Sequence, residues 1–238
     1  MIEIKALASS SRGNAYYFND GVAPLLVECG ISYRDIQRGI GFSVSGLAGC
    51  LVTHEHKDHS KAAADLMKAG VDVYTSKGTI EMLKLQGHRI RPVEALKQFE
   101  IGSWVILPFD VQHDAAEPYG YLLQSRTGAK VLYATDTYYI KYQFKGLTHI
   151  LLECNYADDL LQQNVLSGAL HPAIKKRIRR SHFSLANVKA FLKANDLSQV
   201  REIYLIHLSD GNSDADRFKR EVQELSGKPV TIAAEREG

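Results

Sequence analysis

A ten-residue segment, residues 51–60 with the sequence LVTHEHKDHS, constrains the fold more than any other part of the chain. It places His54, His56, Asp58 and His59 directly after an apolar run, so a buried strand would end in a loop rich in metal-binding groups. In extended backbone His54 and His56 point to the same side, and a turn followed by a helix start would direct Asp58 and His59 at a second point. This set suits zinc, and manganese or iron is also acceptable. The alternative is a solvated polar loop with coincidental histidines.

Predicted strands and helices alternate along the rest of the chain. Apolar patterning predicts strands over residues 2–6, 16–18, 24–28, 50–53, 71–75, 96–111 on either side of Gly102, 119–124, 129–134, 148–153, 201–207 and 228–233. Helices are predicted over residues 33–38, 61–69, 76–86, 158–166, 185–192 and 214–225. Residues 9–14 are expected to form a turn-rich loop, and Pro108 indicates an edge or a strand end. This alternation indicates an α/β fold built in layers.

Length and composition favour one domain over residues 1–238, since 45% of the residues are hydrophobic and no linker is evident. The net charge is only +2, so any binding of nucleic acid would need a local basic patch. The N-terminus lacks the apolar core of a signal peptide, and no stretch approaches the roughly 20 apolar residues of a membrane span. Cys29, Cys50 and Cys154 are odd in number and widely spaced, which favours reduced core thiols and a cytoplasmic location.

Three further polar residues stand at the ends of predicted strands. His113 follows the strand pattern that ends at residue 111, Asp136 follows the strand over residues 129–134, and His207 ends the strand over residues 201–207. Taken alone, His113 would be a surface histidine beside a turn and Asp136 an ordinary turn aspartate.

The run from His54 to His59 has the His-x-His-x-Asp-His form of the metallo-β-lactamase superfamily, whose members are mostly dinuclear metal hydrolases, and the chain resembles that family. The resemblance implies an αββα four-layer sandwich of two pseudo-equivalent halves. It also implies two divalent metal ions, with zinc the first candidate and manganese the second. One ion would bind His54, His56 and His113, the other Asp58, His59 and His207, and Asp136 would bridge them. Glu28 takes the place of a more usual aspartate, either orienting a ligand histidine or packing nearby.

A second resemblance concerns the branch within the family. The run His-Asp-Ala-Ala-Glu-Pro-Tyr-Gly from His113, together with the serine-rich start of the chain, resembles the bacterial YycJ/WalJ-like branch, which is related to ribonuclease Z. That branch implies nuclease or phosphodiesterase chemistry. In the ribonuclease Z relatives a histidine before a helix contacts the scissile phosphate and is held by a glutamate. His182 and Glu153 occupy those places, so the resemblance makes both catalytic candidates beside Asp58.

Substrate-binding residues are predicted in two places. Five of the six residues from 175 to 180 are basic, namely Lys175, Lys176, Arg177, Arg179 and Arg180. Such a run is usually a solvated helix face, but this one leads directly to His182, and we therefore predict that it binds phosphate. Asn14, in the serine-rich segment, either belongs to a simple turn or faces the metal site or a phosphate.

Together these features predict a dinuclear metal-dependent phosphodiesterase acting on nucleic acid or nucleotides, and first of all a DNA or RNA nuclease. A metal-bridging hydroxide would attack the phosphorus, and His182 would protonate the leaving alkoxide. A small cyclic-nucleotide phosphodiesterase is the first alternative, and a thioester or lactone hydrolase the second. A binding module with a vestigial site is a further alternative, against which a full set of seven ligands argues. The sequence leaves open the choice of DNA or RNA, the polarity of cleavage, and a homodimer whose partner contributes to the pocket.

Overall fold

The computed structural model describes residues 2–233, which group into two compact units. Among these residues unit 1 comprises 2–110 and 115–129, and unit 2 comprises 111–114 and 130–233. Both units contain strands and helices, which agrees with the predicted α/β class. The single domain over residues 1–238 stays a prediction, and residues 1 and 234–238 lie outside the described residues. Within 2–233 no helix has the length and apolar character that crossing a membrane requires.

Unit 1 contains a six-stranded sheet in sequence order, antiparallel from β1 to β3 and parallel from β3 to β6. Its strands are β1 (Glu3–Ser10), β2 (Gly13–Asn19), β3 (Leu25–Val27), β4 (Gly49–Leu51), β5 (Val73–Thr75) and β6 (Ile90–Pro92). The helices are α1 (Tyr33–Gly39), α2 (Lys57–Ser60), α3 (Ala63–Lys68) and α4 (Lys77–Leu83), with a 3₁₀ turn at Val44–Gly46. Three antiparallel strands complete the unit: β7 (Phe99–Ile101), β8 (Trp104–Asp110) and β9 (Tyr119–Ser125).

The core beside the six-stranded sheet contains Leu26, Cys50 and Val73 from the strands, Ile36 from α1 and Leu66 from α3, all fully buried. Each fully buried Val, Leu or Ile side chain stabilises the fold by about 1.5–3 kcal/mol. The three cysteines are buried and none forms a disulfide, which confirms the prediction of core thiols.

Two predictions for unit 1 are wrong at the ends of elements. The serine-rich segment is a tight hairpin instead of a loop, because Ser9 pairs with Asn14 and Ser10 with Gly13 in the β1–β2 ladder. The helix predicted over residues 61–69 is α3, which begins only at Ala63 and ends at Lys68, and a separate short helix, α2, precedes it. They are separate because the Ala62 N–H donates to the Cys29 carbonyl at 2.9 Å.

Two further predictions for unit 1 are confirmed only in part. Ser76 caps α4 as predicted, but α4 stops at Leu83 because Lys84 adopts a left-handed conformation with φ of 52°. Pro108 lies inside β8, so the predicted strand end is wrong, but it stands on the part of β8 that β7 leaves unpaired, which agrees with the alternative of an edge. It is tolerated there because the pairing of β8 with β7 covers only residues 104–106.

Unit 2 contains four parallel strands whose order follows the sequence. They are β10 (Lys130–Ala134), β11 (His149–Glu153), β12 (Glu202–Ile206) and β13 (Val230–Ile232). Its helices are α5 (Asp158–Leu166), α6 (Pro172–Ser181), α7 (Leu185–Ala194) and α8 (Ala215–Ser226). The bounds of α5 match the prediction, and the Ser184 hydroxyl caps α7 by accepting from the Asn187 N–H at 3.1 Å. Because the strands are parallel, their carboxyl ends lie at one edge, where ligands of α/β sheets usually bind.

Candidate metal centre

In unit 1 a buried glutamate determines which nitrogen of His54 can bind metal. Glu28 directly follows β3, and its Oε1 accepts a hydrogen bond from the Thr53 hydroxyl at 2.6 Å. A hydroxyl has one hydrogen, so Thr53 Oγ1 must accept its 2.9 Å hydrogen bond from His54 Nδ1. His54 therefore carries its proton on Nδ1 and presents Nε2 as a ligand atom. Of the two roles left open for Glu28, the structure favours that of orienting a ligand histidine.

The predicted ligands of unit 1 lie together in residues 52–60, directly after β4, which we call the metal-binding segment. The ring of His54 is 4.6 Å from that of His56 and 4.3 Å from that of His59, measured between centroids. His59 Nε2 is 3.3 Å from Asp58 Oδ2, and its Nδ1 is 3.4 Å from Glu28 Oε1. Three imidazoles and one carboxylate thus converge, with His54 and His59 buried. These donors fit a divalent metal such as zinc.

The backbone of this segment is held by the loop after β3 and by β2. The Cys29 N–H donates to the His59 carbonyl at 2.8 Å, and the Asn14 side-chain amide donates to the Asp58 carbonyl at 3.2 Å. Gly30 lies so close that a Cβ there would stand 1.6 Å from the Asp58 carbonyl oxygen. Asn14 is fully buried, so the structure places it against the metal-binding segment and not on an open surface. Its role as a substrate ligand stays a prediction.

In unit 2 three predicted site residues stand at the carboxyl ends of neighbouring strands. Glu153 is the last residue of β11, His207 directly follows β12, and Asp136 follows β10 by two residues. Asp136 and His207 have left-handed backbones, with φ of 44° and 53°, and Glu28 in unit 1 has φ of 64°. Residues other than glycine adopt this conformation at a cost of about 1–3 kcal/mol, and they concentrate at functional sites.

Glu153 is the centre of the unit 2 cluster. It is fully buried, and its Oε1 accepts from His182 Nδ1 at 2.7 Å and from His207 Nδ1 at 3.0 Å. His207 Nδ1 is also 3.2 Å from Asp136 Oδ1. Potential ligand atoms of these four residues all lie within 4.8 Å of one another. The Nδ1 bonds leave Nε2 of both histidines as the atom that meets a metal or a substrate.

The protonation of the pair follows from its surroundings. Burial alone would raise the pKa of Glu153, but the His182 charge and the bonds from His182 and His207 lower it overall. Burial likewise opposes protonation of His182, but the Glu153 carboxylate outweighs it and raises the pKa of His182. The His182 side chain is 21% exposed whereas Glu153 is not exposed at all. A histidine whose pKa is raised by a buried carboxylate is suited to donate a proton to a ligand.

His113 is oriented by a backbone group. Its Nδ1 donates to the carbonyl of Ser181, the last residue of α6, at 2.9 Å. Its Nε2 lies 3.4 Å from Asp136 Oδ2. Burial lowers the pKa of His113, which favours the neutral imidazole that a metal ligand must be.

The predicted basic run forms most of α6, and three of its five side chains contact partners in unit 2. Arg177 Nε lies 3.2 Å from Asp114 Oδ2, Arg179 Nε lies 2.9 Å from Asp158 Oδ1, and Lys175 bonds to Gln162. Lys176 and Arg180 are exposed. Arg177 and Arg179 are exposed as well, and binding of phosphate by this run stays a prediction.

Sequence reasoning missed the residues that support the ligands. Thr53 links Glu28 to His54, Gly30 allows close packing of the metal-binding segment, and Asn155 donates to the His207 carbonyl at 3.0 Å. One signal was present for each: a threonine at the end of an apolar run, a glycine after a strand-end glutamate, and an asparagine after a buried strand.

Comparisons with known proteins bear on the family and the fold of this chain. A family model described as "Beta-lactamase superfamily domain" matches residues 25–208, a range that includes all seven predicted metal ligands. The exodeoxyribonuclease YycJ of Bacillus anthracis is 28% identical over 242 residues, covering 94% of this chain and 89% of that protein. This relative agrees with the predicted YycJ/WalJ-like branch.

Two solved structures have the same fold. The metallo-β-lactamase fold protein YhfI of Bacillus subtilis is 16% identical, with a TM-score of 0.74, and the match covers 99% of this chain and 98% of that one. The short form of human tRNase Z is 13% identical, with a TM-score of 0.65, and covers 99% and 97%. These likenesses confirm the predicted metallo-β-lactamase fold, and that fold together with the histidine and aspartate sets indicates binding of divalent metal. Because the family model matches residues 25–208, the chain belongs to the β-lactamase superfamily.

Proposed function

We propose that this protein is a metal-dependent hydrolase of phosphodiester bonds that cleaves nucleic acid, with DNA the favoured polymer. The arrangement around Glu153 carries the proposal. One buried carboxylate holds His207, a predicted metal ligand, and His182, a partly exposed histidine that can serve a substrate. The name of the B. anthracis relative, an exodeoxyribonuclease, supports DNA over RNA.

The donor set fits two divalent ions. Following the family resemblance, we assign His54, His56 and His113 to one ion, Asp58, His59 and His207 to the other, and Asp136 to both. Five imidazoles and two carboxylates favour zinc, with manganese as the second candidate. Bound there, the ions would lower the pKa of a water molecule and neutralise charge on the phosphate.

The protein's own groups would do the rest. Glu153 fixes the Nδ1 proton of His182, so the Nε2 proton is the one that a substrate oxygen can receive. We propose that His182 protonates the leaving alkoxide, a contribution of typically about 10²–10⁴-fold to the rate. A thioester or lactone has no phosphate charge for the basic residues of α6 to bind, so these residues support the phosphodiester over the ester hydrolase. A cytoplasmic location and a homodimer stay predictions.

Side-by-side hydrolysis assays test this proposal. The substrates are single-stranded and duplex DNA, RNA and a panel of cyclic nucleotides, each with zinc or manganese. We expect metal-dependent cleavage of DNA by the wild type, its loss in Asp58→Ala, and its retention in His88→Ala, which alters an exposed histidine outside the ligand set. Cleavage of cyclic nucleotides alone would instead indicate a small-molecule phosphodiesterase. A metal-loaded protein that cleaves no phosphodiester would contradict the proposal and leave an ester hydrolase or a binding module.

A further inference from the structure

An aromatic pocket in unit 2 is not used by the chemistry described above. We call it the tyrosine pocket. Its cavity has a volume of about 360 Å³, and its principal lining residues are Tyr138, Tyr139, Tyr142, Phe183, Asn187 and Phe191. Tyr138 and Tyr139 are 40% and 58% exposed, so two neighbouring aromatic side chains stand together at the surface. Exposed apolar patches that are rimmed by polar residues mark ligand-binding grooves and interaction sites.

Both walls of the pocket are attached to Glu153. The backbone N–H groups of Thr137 and Phe183 donate to the same oxygen, Glu153 Oε2, at 3.1 and 3.0 Å. Tyr138 and Tyr139 follow Thr137 directly, and Phe183 follows His182. The tyrosine pocket therefore begins one residue from the catalytic candidate His182 and two residues from the metal-ligand candidate Asp136.

The tyrosine wall is held in place although it contains no helix or strand. The Asn187 side-chain amide donates to the Tyr138 carbonyl at 3.1 Å, and the Phe144 N–H donates to Asn195 Oδ1 at 2.7 Å. Phe144 is buried, with its ring 6.3 Å from that of Phe191 on α7. The pocket is thus formed before any ligand arrives, which reduces the entropy cost of binding.

The lining suits a flat, uncharged ring system. Tyrosine faces supply stacking surfaces, and Asn187 and Gln143 supply groups that can hydrogen-bond to the edge of a ring. None of the described residues lining the cavity is acidic, and Lys141, whose Nζ lies 5.0 Å from the Tyr142 ring centre, adds a positive charge. A nucleobase linked to phosphate combines these properties, since every base offers a face to stack on an aromatic ring.

We propose that the tyrosine pocket binds a nucleobase of the strand being cleaved, in the nucleotide next to the scissile phosphodiester. This inference rests on the proposed function, because it takes the Glu153 cluster as the place where the phosphodiester is cleaved. On this proposal the protein binds a base by stacking, which requires no particular sequence.

The test measures stacking directly with metal-loaded protein. Short phosphorothioate oligodeoxynucleotides, which resist hydrolysis, carry 2-aminopurine at the 5′ or the 3′ end, and its fluorescence is quenched when the base stacks. We expect quenching by the wild type and by Tyr139→Phe. In Tyr139→Ala the quenching is lost and Kd rises about 5- to 150-fold, the range for one stacked base. Phe42→Ala, which removes an aromatic side chain that is 70% exposed in unit 1, should behave as the wild type.

An abasic oligonucleotide separates base stacking from general weakening. Its Kd should be the same for the wild type and Tyr139→Ala. The inference is overturned if Tyr139→Ala quenches 2-aminopurine as strongly as the wild type does. It is also overturned if Tyr139→Ala loses as much affinity for the abasic strand as for the strand that carries the base. Cleavage of unmodified DNA by the same preparations distinguishes the two proposals. DNA cleavage with equal quenching overturns only the base-binding pocket. Loss of quenching in Tyr139→Ala without any cleavage supports base binding in the pocket, but it overturns the nuclease and with it the placement of that base next to a scissile phosphodiester.

Discussion

The Thr53 hydroxyl joins Glu28 to His54, donating to the carboxylate at 2.6 Å and accepting from the imidazole. Thr53→Val keeps the shape of the side chain but removes both bonds. We expect it to weaken metal binding about 10- to 100-fold, the usual effect of losing a group that orients a metal ligand. Competition with a chromogenic chelator measures this change. Thr53→Ser restores the hydroxyl and should bind metal as the wild type does, and unchanged affinity in Thr53→Val would contradict the role assigned to Thr53.

Gly30 tests the close packing behind the metal-binding segment. Gly30→Ala would place a Cβ 1.6 Å from the Asp58 carbonyl oxygen, so the segment must move. We expect a loss of about 1–3 kcal/mol or more in the free energy of unfolding, together with reduced metal content. Gly211→Ala is the control, because nothing lies within 4 Å of its added Cβ. Urea unfolding and metal analysis should distinguish the two variants. If Gly30→Ala changes the free energy of unfolding and the metal content no more than Gly211→Ala does, the close packing at Gly30 does not matter.

His182 and His207 share the Glu153 carboxylate but are expected to differ in function. His182→Ala should lower the rate of DNA cleavage about 10²–10⁴-fold while the metal content stays that of the wild type, as for loss of a general acid. His207→Ala should lower the metal content itself. Single-turnover kinetics and elemental analysis of the same samples check both statements. Loss of metal in His182→Ala would make His182 a ligand and would remove it as the proton donor.

Lys176 and Arg180 test the phosphate-binding role of α6. Both are exposed, and the double variant Lys176→Ala/Arg180→Ala should weaken DNA binding and reduce the slope of log K against log salt by about 1 per residue. The matched control is Lys219→Ala/Arg220→Ala, which removes an exposed Lys/Arg pair from α8. Fluorescence anisotropy over a series of salt concentrations gives the slopes. The same slope for both double variants would indicate that the basic run is only a solvated helix face.

Local pattern predicted much of this protein. The bounds of α5 match the prediction, and β11 lies within the predicted apolar run. Both could be predicted because hydrophobic periodicity depends only on the residues of the segment itself. The spacing of His54, His56, Asp58 and His59 was enough to predict a metal site. Boundaries were less predictable where a distant group intervenes. The Cys29 carbonyl that separates α2 from α3 is bonded to Ala62, and no pattern in the helical segment indicates it.

The sequence by itself determined the family, the residue types of the candidate metal ligands and the order in which they appear along the chain. Only the tertiary structure decided how Glu28 reaches Thr53, 25 residues away, and how Glu153 holds both His182 and His207. It also decided which basic side chains of α6 contact carboxylates, and that Tyr138, Tyr139 and Phe183 line one pocket. The physical reason is that propensity and periodicity act between near neighbours in the chain. Orientation of a ligand depends instead on hydrogen bonds that form only after distant strands have paired.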